Sequence, residues 1–249
     1  MRFAGKSDKG LSRTQNEDAY CIVDLTKSSE SVVMAVADGM GGHRAGNIAS
    51  KMAIEHIVDS ITNDPLDVGS YYALTERLGT MLKETNEEIF VKSLTDHECD
   101  GMGTTLTIAV TGKTQSTLAH VGDSCAFLFH GETMNKITTD HTYVEELVKT
   151  GTLTREQANK HPQRNYITKA VGCFERVIAD YYSVDMAPGD RMLLCSDGLN
   201  KMLDDEVILK IVNGSDDPDQ ICSELVNEAN RQGGVDNITV VVFLNIDGV

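Results

Sequence analysis

Four carboxylates stand at the ends of apolar runs in this 249-residue chain. Val33-Met34-Ala35-Val36-Ala37 leads into Asp38-Gly39-Met40-Gly41-Gly42. Leu118-Ala119-His120-Val121-Gly122 leads into Asp123-Ser124. Met192-Leu193-Leu194-Cys195-Ser196 leads into Asp197-Gly198-Leu199, and Asp236-Asn237 directly precedes Ile238-Thr239-Val240-Val241-Val242. One Asp-Gly after a strand is an ordinary turn, because both residues tolerate the backbone angles required. Four such ends on strands of shared sheets would bring four carboxylates into one cleft. Like charges at that range cannot all stay ionised without cations. Hard oxygen donors with no accompanying His or Cys cluster select Mg²⁺ or Mn²⁺ over Zn²⁺. Two such ions, typically about 3.5–4 Å apart, share a water and make it nucleophilic near neutral pH. Gly39 has no side chain, so its carbonyl can approach a metal closely.

Positive charge comes from Arg13-Thr14-Gln15-Asn16-Glu17-Asp18, where one Arg precedes a polar and acidic cluster. A guanidinium fork suits a phosphate bidentately. The plainer alternative is a surface Arg paired with Glu17.

The elements that must position these groups are legible as periodicity. Short apolar runs at Ala19–Val23 and Val32–Ala37 read as strands. Ile54, Ile57, Val58 and Ile61 fall on one helical face, as do Leu74, Leu78, Met81 and Leu82 in a helix from about Val68 to Leu94. Strands follow at Thr105–Val110, Ser116–Val121, Ala126–Phe129 and Thr133–Ile137, with Gly112 and Gly131 at hairpin turns. Thr142–Asn159 reads as one or two short amphipathic helices interrupted by Gly151. Strands resume at Ala179–Val184 and Arg191–Cys195. Helices near Asp204–Val212 and Pro218–Arg231 precede a last strand, Ile238–Asn245. Strands in blocks with helices in pairs favour antiparallel sheets with helices packed outside, an α+β fold.

Composition narrows the function. Lys plus Arg is 22 and Asp plus Glu is 38, a formal charge of −16. Such a surface repels nucleic acid and anionic lipid. No apolar run approaches the roughly 20 residues of a membrane span. The first ten residues carry no apolar signal region, so a cytoplasmic protein is expected. The six Cys form no Cys-x-x-Cys pair and read as reduced, mostly buried thiols. His120, inside a strand, reads as a satisfied core residue.

The ordered set Arg13-x-x-Asn16-Glu17-Asp18, Asp38-Gly39-Met40-Gly41-Gly42, Gly103-Thr104-Thr105, Val121-Gly122-Asp123-Ser124, Ser196-Asp197-Gly198-Leu199 and Asp236-Asn237-Ile238-Thr239 resembles the metal-dependent serine/threonine phosphatases of the protein phosphatase 2C type, in their bacterial form. The likeness runs from about Phe3 to Asn245 in family order. It implies a four-layer α-β-β-α sandwich of two antiparallel sheets flanked by helix pairs, as a single catalytic domain over 1–249. It implies two Mn²⁺ or Mg²⁺ ions, with Asp38 bridging them and Gly39 lending its carbonyl. Asp197 and Asp236 complete one ion's set, and Asp123 with Asp197 holds a weaker third. Glu17 and Asp18 act in the outer shell, and Arg13 takes the substrate phosphate. The segment near 142–165 is a flap beside the cleft. Asp140-His141 and His161-Pro162-Gln163-Arg164-Asn165 resemble the stretches bordering that flap.

The implied reaction is hydrolysis of phosphoserine and phosphothreonine in cytosolic proteins by a metal-bridged hydroxide, with Asp38, Asp197, Asp236 and Arg13 as its catalytic set. A monomer opposing a cognate Ser/Thr kinase is expected. The chain departs from members of higher organisms at Met40, where they carry a His assigned as general acid. Here His43 or metal-bound water would serve. The rivals are a phosphatase of anti-anti-sigma-type regulators, an inactive phosphoprotein-binding member, and an unrelated two-metal esterase or nuclease. The inactive reading requires a lost ligand, and Asp38, Asp197 and Asp236 are all present.

Overall fold

The computed structural model describes residues 1–41 and 45–246. In chain order the elements are β1 (Arg2–Asp8), β2 (Asp18–Asp24), α1 (Thr26–Ser29), β3 (Ser31–Met40), α2 (Ala45–Asn63), α3 (Tyr71–Thr95), β4 (Gly103–Thr104), β5 (Leu106–Gly112), β6 (Gln115–Val121), β7 (Cys125–His130) and β8 (Thr133–Lys136). Then come α4 (Tyr143–Lys149), α5 (Arg155–Asn159), β9 (Asp180–Asp185), β10 (Arg191–Cys195), α6 (Asp197–Asn200), α7 (Asp205–Asn213), α8 (Pro218–Arg231) and β11 (Ile238–Leu244).

Two antiparallel sheets result. One has the order β1-β11-β10-β7-β8, and the other β2-β3-β5-β6-β9 with β4 added beside the end of β3. The apolar runs are continuous because both faces of these strands are covered. Along β3, Val33, Ala35 and Ala37 face α2 and α3, while Val32, Met34 and Val36 face the opposite sheet. Along β11, Val240, Val242 and Leu244 face α7 and α8, while Val241 and Phe243 turn inward. Three stacked cores therefore separate four layers. Each fully buried side chain of this kind contributes about 1.5–3 kcal/mol.

The expected helix pairs are present, α2 with α3 on one sheet and α7 with α8 on the other. The four-layer α+β sandwich is the observed architecture.

Candidate active site

The site lies where the two sheets' strand ends meet, and it is assembled mainly through backbone locks. β3 runs on past Ala37, where the sequence suggested it would stop. Gly39 and Met40 pair with Thr104 and Gly103 of β4. The Asp38 N–H donates to Thr105 Oγ1 at 2.9 Å. Its carbonyl accepts from Thr105 N–H at 2.9 Å and Thr104 Oγ1 at 3.0 Å. A Cβ on residue 39 would run into the carbonyl oxygen of Gly46, so only glycine lets the start of α2 cross here.

Asp18 sits opposite Asp38 in the β2–β3 register. Its side chain crosses to the other sheet. Oδ2 accepts from Ser196 Oγ and from Thr239 Oγ1, each at 2.7 Å, and Oδ1 has no partner. Asp18 thus ties β2 to the ends of β10 and β11. Asn237 does similar work on the loop before it. Its Nδ2 donates to the carbonyls of Lys9 (2.8 Å) and Gln15 (3.0 Å), and its Oδ1 accepts from Glu17 N–H (2.8 Å).

Asp123 does not lie in a hairpin turn. β6 and β7 belong to different sheets, so residues 122–124 carry the chain from one sheet to the other. Gly122 makes the corner at φ +109°, and Asp123 is buried with Oδ1 unpartnered.

Asp197 opens α6 after the single residue Ser196 that follows β10, and Asp236 stands two positions ahead of the first residue of β11. Two cations of the chain hold this pair. Lys201 Nζ lies 2.5 Å from Asp197 Oδ2 and 2.7 Å from Asp236 Oδ2. Arg13 Nη2 lies 2.9 Å from Asp236 Oδ1, which also accepts from Asn237 N–H at 2.9 Å. Arg13 therefore pairs with Asp236 and not with Glu17, the partner in the plainer sequence reading.

The electrostatics show how closely these groups crowd. Burial drives the Asp38 carboxyl well above the ordinary range, and Asp18, Asp197, Asp123 and Asp236 add repulsion. Burial, then Asp197 and Asp140, push Asp123 up to about 8. Asp18 rises to about 6 through burial, despite its two hydroxyl donors. Burial also raises Asp197, against the pull of Lys201. At Asp236 burial is outweighed by Lys201, the Asn237 amide and Arg13, and the carboxyl stays below its usual value.

A cavity of about 910 Å³ opens beside these carboxylates. Arg13, Asp123, Asp197, Lys201 and Asp236 line one side, and Thr142, Glu145, Arg155 and Arg164 line the other. The second wall is the segment containing α4 and α5. Thr142 caps α4, Thr154 and Gln157 form a reciprocal capping box on α5, and Arg155 pairs with Glu145. The segment is closed at its root by a bridge between Thr142 and Ile167 and by Tyr143 N–H to Tyr166 O at 2.8 Å.

Protein phosphatase 2C as a family matches residues 11–227 of the sequence. The chain belongs to the protein phosphatase 2C family. It is 37% identical over 242 residues to the protein phosphatase PhpP of Streptococcus pneumoniae, covering 97% of this chain and 96% of that one. The crystal structure of the Mycobacterium tuberculosis serine/threonine phosphatase PstP/Ppp superposes with a TM-score of 0.85, at 35% identity and 97% coverage of both chains. The catalytic domain of the serine/threonine protein phosphatase PstP, solved in complex with 2 manganese ions, gives a TM-score of 0.82 at 33% identity, covering 97% of this chain and 96% of that chain. Like these bacterial family members, the chain is a serine/threonine phosphatase.

Of the residues singled out in the sequence, Arg13, Asp18, Asp38, Asp123, Asp197 and Asp236 are gathered at one place. Glu17 flanks them, and burial raises its carboxyl. His43 lies outside the described residues. The residue that sequence reasoning missed is Lys201, although its i,i+4 spacing from Asp197 was a readable signal. Among the described residues, no three carboxylate, imidazole or thiol side chains already converge as a preformed metal cage. The donor set nonetheless fits hard divalent cations. Asp18, Asp123 and Asp197 each leave one buried oxygen without a hydrogen-bond partner. Unpaired anionic oxygens buried among like charges are what such ions satisfy.

Proposed function

We propose that this carboxylate cluster holds two divalent cations, Mn²⁺ or Mg²⁺, and a weaker third, and that the phosphatase depends on them. The observation that carries the proposal is the unpartnered, buried oxygens of Asp18, Asp123 and Asp197 within a cluster of mutually repelling carboxyls. The manganese complex of the related PstP domain supports it. Asp38, the Gly39 carbonyl, Asp197 and Asp236 would hold the central pair. Asp123 with Asp197 would hold the third, with Glu17 and Asp18 behind them. When bound, the ions supply positive charge and an activated water for attack on phosphorus.

The chain's own residues do the rest. Arg13 reaches the cavity beside Asp236 and receives the phosphate of a phosphoserine or phosphothreonine through charge-assisted hydrogen bonds. Asp18 holds the ends of β2, β10 and β11 in register. The 142–165 segment acts as a flap, supplying the far wall that orients the peptide and limits water. Residues 1–249 form one catalytic domain, acting as a monomer in the cytoplasm against a Ser/Thr kinase. The acidic charge and the family membership support that setting. No helix among the described residues is long and apolar enough to cross a membrane.

The test is hydrolysis of a phosphothreonine peptide after exhaustive chelation. Activity should vanish in chelator and return with Mn²⁺. Full activity in chelator would refute the metal role. Mild alkylation of the partly exposed Cys21 and Cys173 in a protein that stays folded should leave the rate unchanged.

A further inference from the structure

Lys201 stands among the carboxylates of the centre, and the proposed reaction gives it no task. Lys201 caps the C-terminal end of α6. Its ammonium is inserted between Asp197 and Asp236, within hydrogen-bond distance of one oxygen of each. Those carboxylates come from different strand ends, so the contact is more than a pairing along one helix. Both are largely shielded, with side-chain exposures of 20% and 15%. An exposed i,i+4 pair contributes little on its own. A cation shared by two half-buried, mutually repelling carboxylates does more, because it removes a repulsion as well as adding an attraction.

Both oxygens of Asp236 are engaged, Oδ2 by Lys201 and Oδ1 by Arg13 and the Asn237 N–H, and the same ammonium holds Asp197 Oδ2, so a divalent ion shared by the two carboxylates must displace one of these partners. We infer that Lys201 is a built-in, exchangeable counter-ion. It neutralises the Asp197–Asp236 pair while metal is absent, and an incoming divalent ion displaces it, so Lys201 sets how tightly the metal binds. This rests on the metal-site reading above. The exchange is feasible because the lysine stem is flexible and carries a compact charge. The side chain also lines the 910 Å³ cavity, so the released ammonium has room on the side from which a phosphorylated peptide enters. Arg13 differs. It is about half exposed and bonds the other Asp236 oxygen, while Asp197 feels only its charge at longer range. Any ion that needs a site vacated by an internal competitor binds with an affinity reduced by the fraction of time the site is free.

The experiment compares the full chain with Lys201→Met, which keeps length and removes charge, and with Lys201→Arg. Mn²⁺ binding to metal-stripped protein is measured by calorimetry, and thermal melts are recorded in chelator. Lys201→Met should bind Mn²⁺ at least about tenfold more tightly, and its metal-free form should melt about 3–6 °C lower. Lys201→Arg should melt close to wild type, because it keeps the charge. A Lys201→Met protein that binds Mn²⁺ no more tightly than wild type, or that is no less stable without metal, overturns the inference. If the metal-free variant does not fold, the wild type decides. With ¹³C-labelled lysine, the Lys201 Cε resonance, assigned by its loss in Lys201→Arg, should move in step with Mg²⁺ saturation. A resonance unmoved at saturation overturns the inference. Absence of any Mn²⁺ binding by wild type overturns the metal-site reading and this one together. Binding by wild type without a tighter variant overturns the role of Lys201 alone.

Discussion

The two halves of the carboxylate cluster are built on opposite principles. Asp18, Asp38 and Asp123 are held by hydroxyls, amides and backbone, and among the described residues no ion pair reaches them. Asp197 and Asp236 share Lys201, and Asp236 also has Arg13. The first half stores repulsion that burial amplifies, and its carboxyls sit high, Asp123 at about 8 and Asp18 at about 6. In the second half, burial still raises Asp197 against the pull of Lys201, while Asp236 sits low because its cations outweigh its burial. The lesson is that the same residue type at the same kind of strand end can be poised to accept a cation or already supplied with one.

The largest effect that would break this comparison is expected at Asp38. Asp38→Asn should lower kcat/KM for a phosphothreonine peptide by about 10³-fold or more. It should also raise the melting temperature of the metal-free protein at alkaline pH, where ionising the buried carboxyl among its neighbours costs stability and Asn does not. A metal-free mutant less stable than wild type would make Asp38 a structural turn residue instead.

The next effect tests the compensated half. Arg13→Ala removes a contact worth about 1.5–3 kcal/mol, so kcat/KM should fall roughly 10- to 150-fold, mostly through KM. Its metal-free melting point should drop, opposite in sign to Asp38→Asn, because Asp236 loses a partner. Unchanged phosphopeptide kinetics would leave Arg13 as a surface ion pair only.

The smallest effect concerns Asp123 and pH. Its folded carboxyl titrates at about 8, above the unfolded value of about 3.9. A raised carboxyl is stabilising when protonated, and that contribution is lost as pH climbs through the folded value. In chelator the wild-type melting temperature should therefore fall between pH 6 and about pH 8.5. Asp236 has the reverse sign, and its contribution is lost only as the solution is acidified below the ordinary Asp range. Asp123→Asn should flatten the alkaline limb and cut kcat about tenfold while keeping two bound metals. Calorimetric metal counting and melts across pH read both outcomes, and an unflattened limb with wild-type kcat would remove Asp123 from the site.

Much of this was legible before any coordinates. The strands of the two sheet interiors announced themselves because both faces are covered, which makes their residues almost uniformly apolar. The carboxylates stood out by following those runs. β1 was not legible. It is an edge strand reading Arg-Phe-Ala-Gly-Lys-Ser-Asp, paired only with β11, and its polar alternation and central glycine carry no strand signal. The reading of His120 as fully satisfied was also incomplete. Nδ1 meets Thr107 Oγ1 at 2.9 Å, but buried Nε2 has no partner, and the ring stacks on His141 at 5.0 Å. Pairings such as Asp18 with Ser196 and Thr239 span 178 and 221 positions of chain. Their sequence neighbourhoods contain no trace of one another, so only the topology reveals them. Lys201 was visible by spacing, yet an i,i+4 Asp–Lys pair is so common on helices that its reach to Asp236 could not be read there.

The order of synthesis gives the placement of β11 a further meaning. Every other strand of both sheets is made before Ile238–Leu244, yet that strand lies between β1 and β10 and touches both along its length. A chain emerging from the ribosome can therefore finish the β2-β3-β5-β6-β9 sheet while its other sheet still lacks an inner strand. Asp236 and Asn237 arrive with that strand, and Thr239 within it. They bring the last carboxylate, the clamp on the Gln15–Glu17 backbone, and one of the two hydroxyls that hold Asp18. The carboxylate cluster and the hydrogen bonds that close it are thus completed only when β11 is in place.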